Sequence, residues 1–152
     1  MSPELEEKLV KKFPDLFIDK DKPPTQSLMC FGCECDNGWF TLIHNACAQI
    51  ANHLKHRPEC PPVRFSQIKE KFGGLRLYYY GGDDFVSGVC NMAEHMSYHI
   101  CEVTGETGQL CTTGRWLRTL SSAQADKYGY RPVTRDNDED DETDNTSAAE
   151  KN

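Results

Sequence analysis

An α+β fold is predicted for this chain of 152 residues, and three observations carry the expectation. Trp39, Leu42, Ile43, Ala46, Cys47, Ile50 and Leu54 recur at three- and four-residue spacing, which marks an amphipathic helix over about 38–55. Two strand-like runs within 63–80 meet at Gly73-Gly74 and predict a β-hairpin, closed by Gly81-Gly82. A glycine-punctuated segment from Gly105 to Gly114 then leads to Trp116, Leu117 and Leu120, as in a small ribbon.

The remaining elements follow in chain order. Ser2 and Pro3 suit the N-cap and first position of a helix that Pro14 would stop, with Leu5, Leu9 and Phe13 as its apolar stripe. No capping box supports it, because Leu5 occupies the third helical position. The run from Ile18 to Gln26 reads as a loop, delivering the chain to Cys30, Cys33 and Cys35. Met92, His95, Met96 and His99 predict a helix over about 84–99 packed over the sheet, and a short helix is expected from Leu120 to Tyr128.

Length favours one domain over 1–133, followed by a disordered acidic tail over 134–152. Residues from Asp136 onward hold eight acids and one base, which account for the whole net charge of -7; the preceding residues are balanced. No apolar run approaches the roughly 20 residues a membrane span needs, and the acidic start is unlike a signal peptide. A cytoplasmic protein without membrane contact is therefore expected, its eight cysteines being free thiols or metal ligands and not a disulfide framework.

The hairpin carries the main candidate site. Folded about Gly73-Gly74, it pairs Phe72 with Leu75, Glu70 with Leu77 and Ile68 with Tyr79 on one face. The other face holds Gln67, Lys69, Lys71, Arg76, Tyr78 and Tyr80, with Lys71 opposite Arg76, a like-charge pairing that an anion would relieve. Guanidinium and ammonium groups bind carboxylate or phosphate, and tyrosines add stacking surface. The plain alternative has Lys69 and Lys71 solvated or paired with Asp83 and Asp84, with at least one tyrosine in the core.

Cysteine and histidine patterns are weaker signals. Cys30-x-x-Cys33-x-Cys35, with Cys47, Cys60 or His44, has spacing that suits zinc; buried free thiols are the other reading, so a cofactor is either absent or zinc. His95 and His99 lie four apart, but the glutamate of a zincin motif is missing between them. Cys90 and His95 share the same predicted helix without an orienting third group. No nucleophile, base and orienter can be named together, so a binding role is expected ahead of an undescribed enzyme. The acidic tail reads as a solubilising segment or as a mimic of a nucleic-acid backbone.

Cys-Asp-Asn-Gly-Trp-Phe at 35–40, Gln-Ile-Lys-Glu-Lys-Phe-Gly-Gly-Leu-Arg at 67–76, and Cys101-Glu102 followed by Gly-Arg-Trp-Leu-Arg-Thr-Leu at 114–120 together resemble a family of small bacteriophage and prophage proteins. The resemblance covers roughly 3–130. It implies an accessory protein in the host cytoplasm that binds and blocks a host defence protein stoichiometrically. Sequestration of a nucleotide or nucleic acid by the same hairpin face is the alternative. It also implies a zinc ribbon near the carboxyl end, from which this chain departs: Cys101 is present, but Thr104, Ser121 and Gln124 occupy the other ligand positions. A metal-free ribbon packed around Trp116 is the resulting expectation.

Overall fold

The computed structural model describes residues 1–133, and the predicted tail lies outside them. Among these residues the fold is α+β, with four α-helices and two three-stranded sheets. The first helix, α1, spans Pro3–Lys12. Ser2 has the extended backbone of an N-cap, but its hydroxyl makes no capping bond, and its N–H donates instead to Asn37 Oδ1 at 2.7 Å. Glu6 points inward, where it pairs with Lys20 and accepts the Cys33 N–H at 2.9 Å. Burial raises the Glu6 pKa, but the Lys20 and Cys33 hydrogen bonds outweigh that effect and hold it below the ordinary value.

The first sheet is built from β1 (Cys33–Glu34), β2 (Arg64–Lys71) and β3 (Gly74–Tyr80) in that order, with β1 parallel and β3 antiparallel to β2. A 3₁₀ turn at Asn37–Trp39 leads into α2 (Phe40–His56), whose Leu42, Ile43, Ala46, Cys47 and Ile50 enter the core. These join Leu9, Leu16, Met29, Trp39, Phe65, Ile68, Leu75 and Val86.

The next helix, α3 (Asp84–Ser97), runs along the free edge of β3. Ser97 Oγ accepts the Leu75 N–H at 2.9 Å, and Glu94 Oε1 accepts the Leu77 N–H at 2.8 Å. Side chains thus satisfy backbone donors that would otherwise template pairing with another chain. The packing face of α3 is Val86, Cys90, Ala93 and Ser97, whereas Met92, His95, Met96 and His99 are exposed. This corrects the predicted face. The smaller residues sit toward the strand edge, where glutamate and serine can reach the strand's amides.

A second cluster gathers Cys101, Cys111, Leu120 and Ala125. Its sheet has the order β5-β4-β6, from β4 (Gln109–Thr112), β5 (Leu117–Leu120) and β6 (Arg131–Pro132), with α4 at Ser122–Tyr128. Trp116 is 72% exposed, so the expectation that it organises this segment fails; Cys101 and Leu120 do so. Among the described residues no helix is long and apolar enough to cross a membrane.

Candidate functional site

The hairpin turns one residue earlier than its glycines suggest. Lys71 pairs with Gly74, Glu70 with Leu75, Lys69 with Arg76 and Ile68 with Leu77, so Phe72-Gly73 forms the turn. The expected pairs of Phe72 with Leu75, Glu70 with Leu77, Ile68 with Tyr79 and Lys71 with Arg76 are therefore not formed. Both residues of the turn have positive φ, 54° at Phe72 and 81° at Gly73. That is the left-handed pairing favoured in two-residue hairpins, and it is costly for a bulky side chain.

The geometry of the tip is fixed from several sides. Glu70 Oε1 accepts the Gly73 N–H at 2.6 Å, and the buried Thr119 hydroxyl donates to the Gly73 carbonyl at 2.7 Å. A Cβ on Gly73 would meet Leu110 Cδ1 at 2.3 Å, and one on Gly74 would meet the Tyr98 ring at 2.4 Å. Gly74 is thus required for the approach of Tyr98, and Gly73 for the turn. The second sheet forms a platform beneath the tip.

The register changes by two positions, an even number, so the residues that stay in the strands keep their faces, while Phe72 leaves its face for the turn. Ile68, Leu75 and Leu77 are buried, and Tyr79, partly covered, bonds Ser87 of α3 at 3.1 Å. Gln67, Lys69, Lys71, Arg76, Tyr78 and Tyr80 share the other face. They are not equally free. Gln67 donates to Glu34 at 3.1 Å, and the Arg64 guanidinium stacks over the Tyr80 ring at 4.8 Å. Arg76 donates to the Leu75 carbonyl at 2.7 Å and the Tyr98 hydroxyl at 2.9 Å, so it is a structural part of the face. Asp83 pairs with His53 and not with a hairpin lysine.

Tyr78 and Tyr80 line an open groove with Gln67, Ser27 and Leu28. At the opposite end of the hairpin, Phe72 borders a larger groove with His95, Tyr98, His99 and Leu110. Phe72 is 67% exposed, and the Lys71 ammonium lies 5.4 Å from its ring centroid. The sequence pattern placed Phe72 in the strand opposite Leu75; the structure places it in the turn and makes it the most prominent apolar group of the tip.

All eight cysteines are free thiols. Cys33, Cys35 and Cys47 are buried and Cys30 is half-buried, but their sulfurs do not converge within ligand range. Burial pushes the Cys33 and Cys90 thiols up to about 12 and raises those of Cys35 and Cys47 as well, which leaves them protonated, inert core residues. His95 on α3 and His99 in the turn after it are both exposed, and neither belongs to a group of three converging ligands among the described residues.

The ribbon residues do not fit zinc. Cys101 is wholly buried, and although burial favours its neutral form, hydrogen bonds from the Thr104 side chain and the Ser121 and Thr104 backbones lower its pKa overall. Ser121 Oγ and Gln124 Oε1 are buried without hydrogen-bond partners among the described residues. Neither a neutral hydroxyl nor an amide replaces a thiolate or imidazole in a closed zinc site.

One polar cluster escaped the sequence reading. His53 Nε2 lies 2.7 Å from Asp83 Oδ2, and the Cys60 sulfur joins them, with all three donor atoms within 4.8 Å of one another. The His53 hydrogen bond, the Val86 N–H and the Cys60 thiol hold the Asp83 pKa down to about 2, while burial and Asp83 push that of Cys60 up. The three residues come from the last turn of α2, the proline-rich loop after it and the N-cap of α3, so no local spacing announces them.

Comparison of the chain with protein-family models, curated proteins and solved structures finds no match.

Proposed function

We propose that this protein is a binding protein that acts stoichiometrically on a protein partner through the tip and outer face of the β2–β3 hairpin. The observation that carries this reading is Phe72: a bulky, exposed side chain held at φ +54° beside Lys71. A backbone conformation of this kind costs on the order of 1–3 kcal/mol for a residue other than glycine, and such costs concentrate where function requires them. Nothing in the packing explains the choice of phenylalanine, since its ring leaves the core. A ring exposed next to an ammonium group offers a partner an apolar anchor with charge at its rim, the usual make-up of an interface centre. The resemblance to phage accessory proteins makes a host defence protein the partner class we favour.

Phe72→Asn separates stability from function. Asparagine followed by glycine is the preferred pair for this turn, so the variant should gain about 1 kcal/mol in urea unfolding. The same variant combined with Lys71→Glu should lose at least tenfold in retained partner when immobilised protein is challenged with bacterial lysate. Full retention by the double variant would end the hairpin reading. Retention by the parent that falls steeply with salt would favour the second reading, a nucleotide or nucleic acid held by Lys69, Lys71 and the tyrosines, because phosphate contacts weaken with ionic strength.

A further inference from the structure

We propose that His53, Cys60 and Asp83 form a zinc-binding site with three protein ligands and a fourth position open to solvent. An imidazole nitrogen, a thiol sulfur and a carboxylate oxygen are the three ligand types zinc takes, and separations within 4.8 Å suit donors that surround one ion at roughly 2.0–2.3 Å. One neutral imidazole, one thiolate and one carboxylate neutralise the dication, so occupancy leaves no net charge against the half-buried wall.

The ligands are positioned before any ion arrives. Asp83 Oδ1 caps α3 by accepting the Val86 N–H at 3.2 Å, which leaves Oδ2 toward His53. The His53 ring stacks on Phe85 with centroids 4.3 Å apart and planes 18° from parallel, which fixes the direction of Nε2. Cys60 is held by a turn in which its N–H bonds the Arg57 carbonyl at 2.9 Å. The Pro61 carbonyl accepts the Gly82 N–H at 3.0 Å, tying this loop to the segment that leads into Asp83. A Cβ on Gly81, whose φ is +79°, would lie 1.8 Å from the Pro62 carbonyl oxygen, so only glycine permits this approach. Zinc would take the place between Nε2 and Oδ2 now filled by a hydrogen bond. The Cys60 S–H bond breaks with its electron pair kept on sulfur for the metal, and the proton passes to solvent. Asp83 is the most exposed of the three, so the open position faces water.

The test uses the full chain. After zinc loading and removal of free ion, the parent and Cys30→Ser should each retain one zinc per chain, whereas Cys60→Ser and His53→Gln should retain none. Cobalt in place of zinc should give thiolate-to-metal charge-transfer absorption in the parent that Cys60→Ser abolishes. Asp83→Asn keeps the helix cap and should weaken retention without unfolding the chain. Should Cys60→Ser fail to fold, the parent decides alone: cobalt charge transfer together with a zinc-dependent rise in melting temperature supports the site. A parent that retains no zinc, zinc retained by folded Cys60→Ser, or cobalt bound without charge transfer would overturn it.

Discussion

Trp39→Ala should remove about 4 kcal/mol of stability, a large fraction of the roughly 5–15 kcal/mol that holds a typical domain folded. Trp39 is wholly buried, and its indole N–H donates to the Ile100 carbonyl at 2.9 Å. Truncation therefore leaves both a cavity in the first core and an unpaired carbonyl at the entrance to the second. Its neighbour Gly38 donates its N–H to the Glu102 carbonyl at 2.7 Å, and a Cβ there would lie 2.2 Å from the Cys101 carbonyl oxygen. Residues 38 and 39 thus tie the turn before α2 to the segment 100–102 that leads into the second sheet. Trp39→Phe should recover part of the loss by refilling volume without restoring the hydrogen bond. Urea unfolding followed by circular dichroism checks both, and a Trp39→Ala midpoint within a tenth of the parent's would refute this account. The exposed Trp116 makes tryptophan fluorescence of the parent composite, so Trp116→Phe isolates the Trp39 signal.

Local patterns made the elements legible, but contacts between distant residues set their details. The 3.6-residue period of α2 and the alternation along β2 and β3 arise within single segments, and both elements lie close to where the pattern puts them. The hairpin register was ambiguous because two adjacent glycines could each belong to the turn. Thr119 and Leu110 beneath Gly73, and Tyr98 over Gly74, resolve it, and all are far along the chain. On α3, the Met92-Met96 stripe and the Val86-Cys90-Ala93-Ser97 stripe share one period, so periodicity could not choose between them. The need to seal the β3 edge with Glu94 and Ser97 does choose. The two-residue strand β1 carries no pattern at all. The hairpin face was legible because alternation survives an even register shift; Phe72 and Gly74 exchanged strand and turn because only their placement depended on where the turn fell.

Arg118→Met should cost about 3 kcal/mol at neutral pH, with a pH dependence that identifies the cause. Glu102 is buried, accepts the Asp36 N–H at 3.1 Å and the Arg118 Nε–H at 3.1 Å, and Arg118 bridges onward to the Asp36 carboxylate. Burial already raises the Glu102 pKa above its ordinary 4.5 despite the attraction of Arg118. Removing the guanidinium raises it further, because the carboxylate then stays buried with only the Asp36 N–H for compensation. A carboxyl whose folded-state pKa exceeds its unfolded value binds its proton more tightly when folded. The penalty is therefore complete above the folded-state value, shrinks as pH falls toward 4.5 and is absent below it. Glu102→Gln in the Arg118→Met background should recover most of the loss at pH 7 and little at pH 4. A deficit that is the same at both pH values would show that lost packing, and not the stranded carboxylate, is responsible. The consequence reaches the hairpin face proposed to bind a partner, because Arg118 anchors the strand whose Thr119 holds the Gly73 carbonyl. Arg118→Met should thus weaken partner retention although Lys71 and Phe72 are untouched, and the Glu102→Gln second change should restore it together with stability.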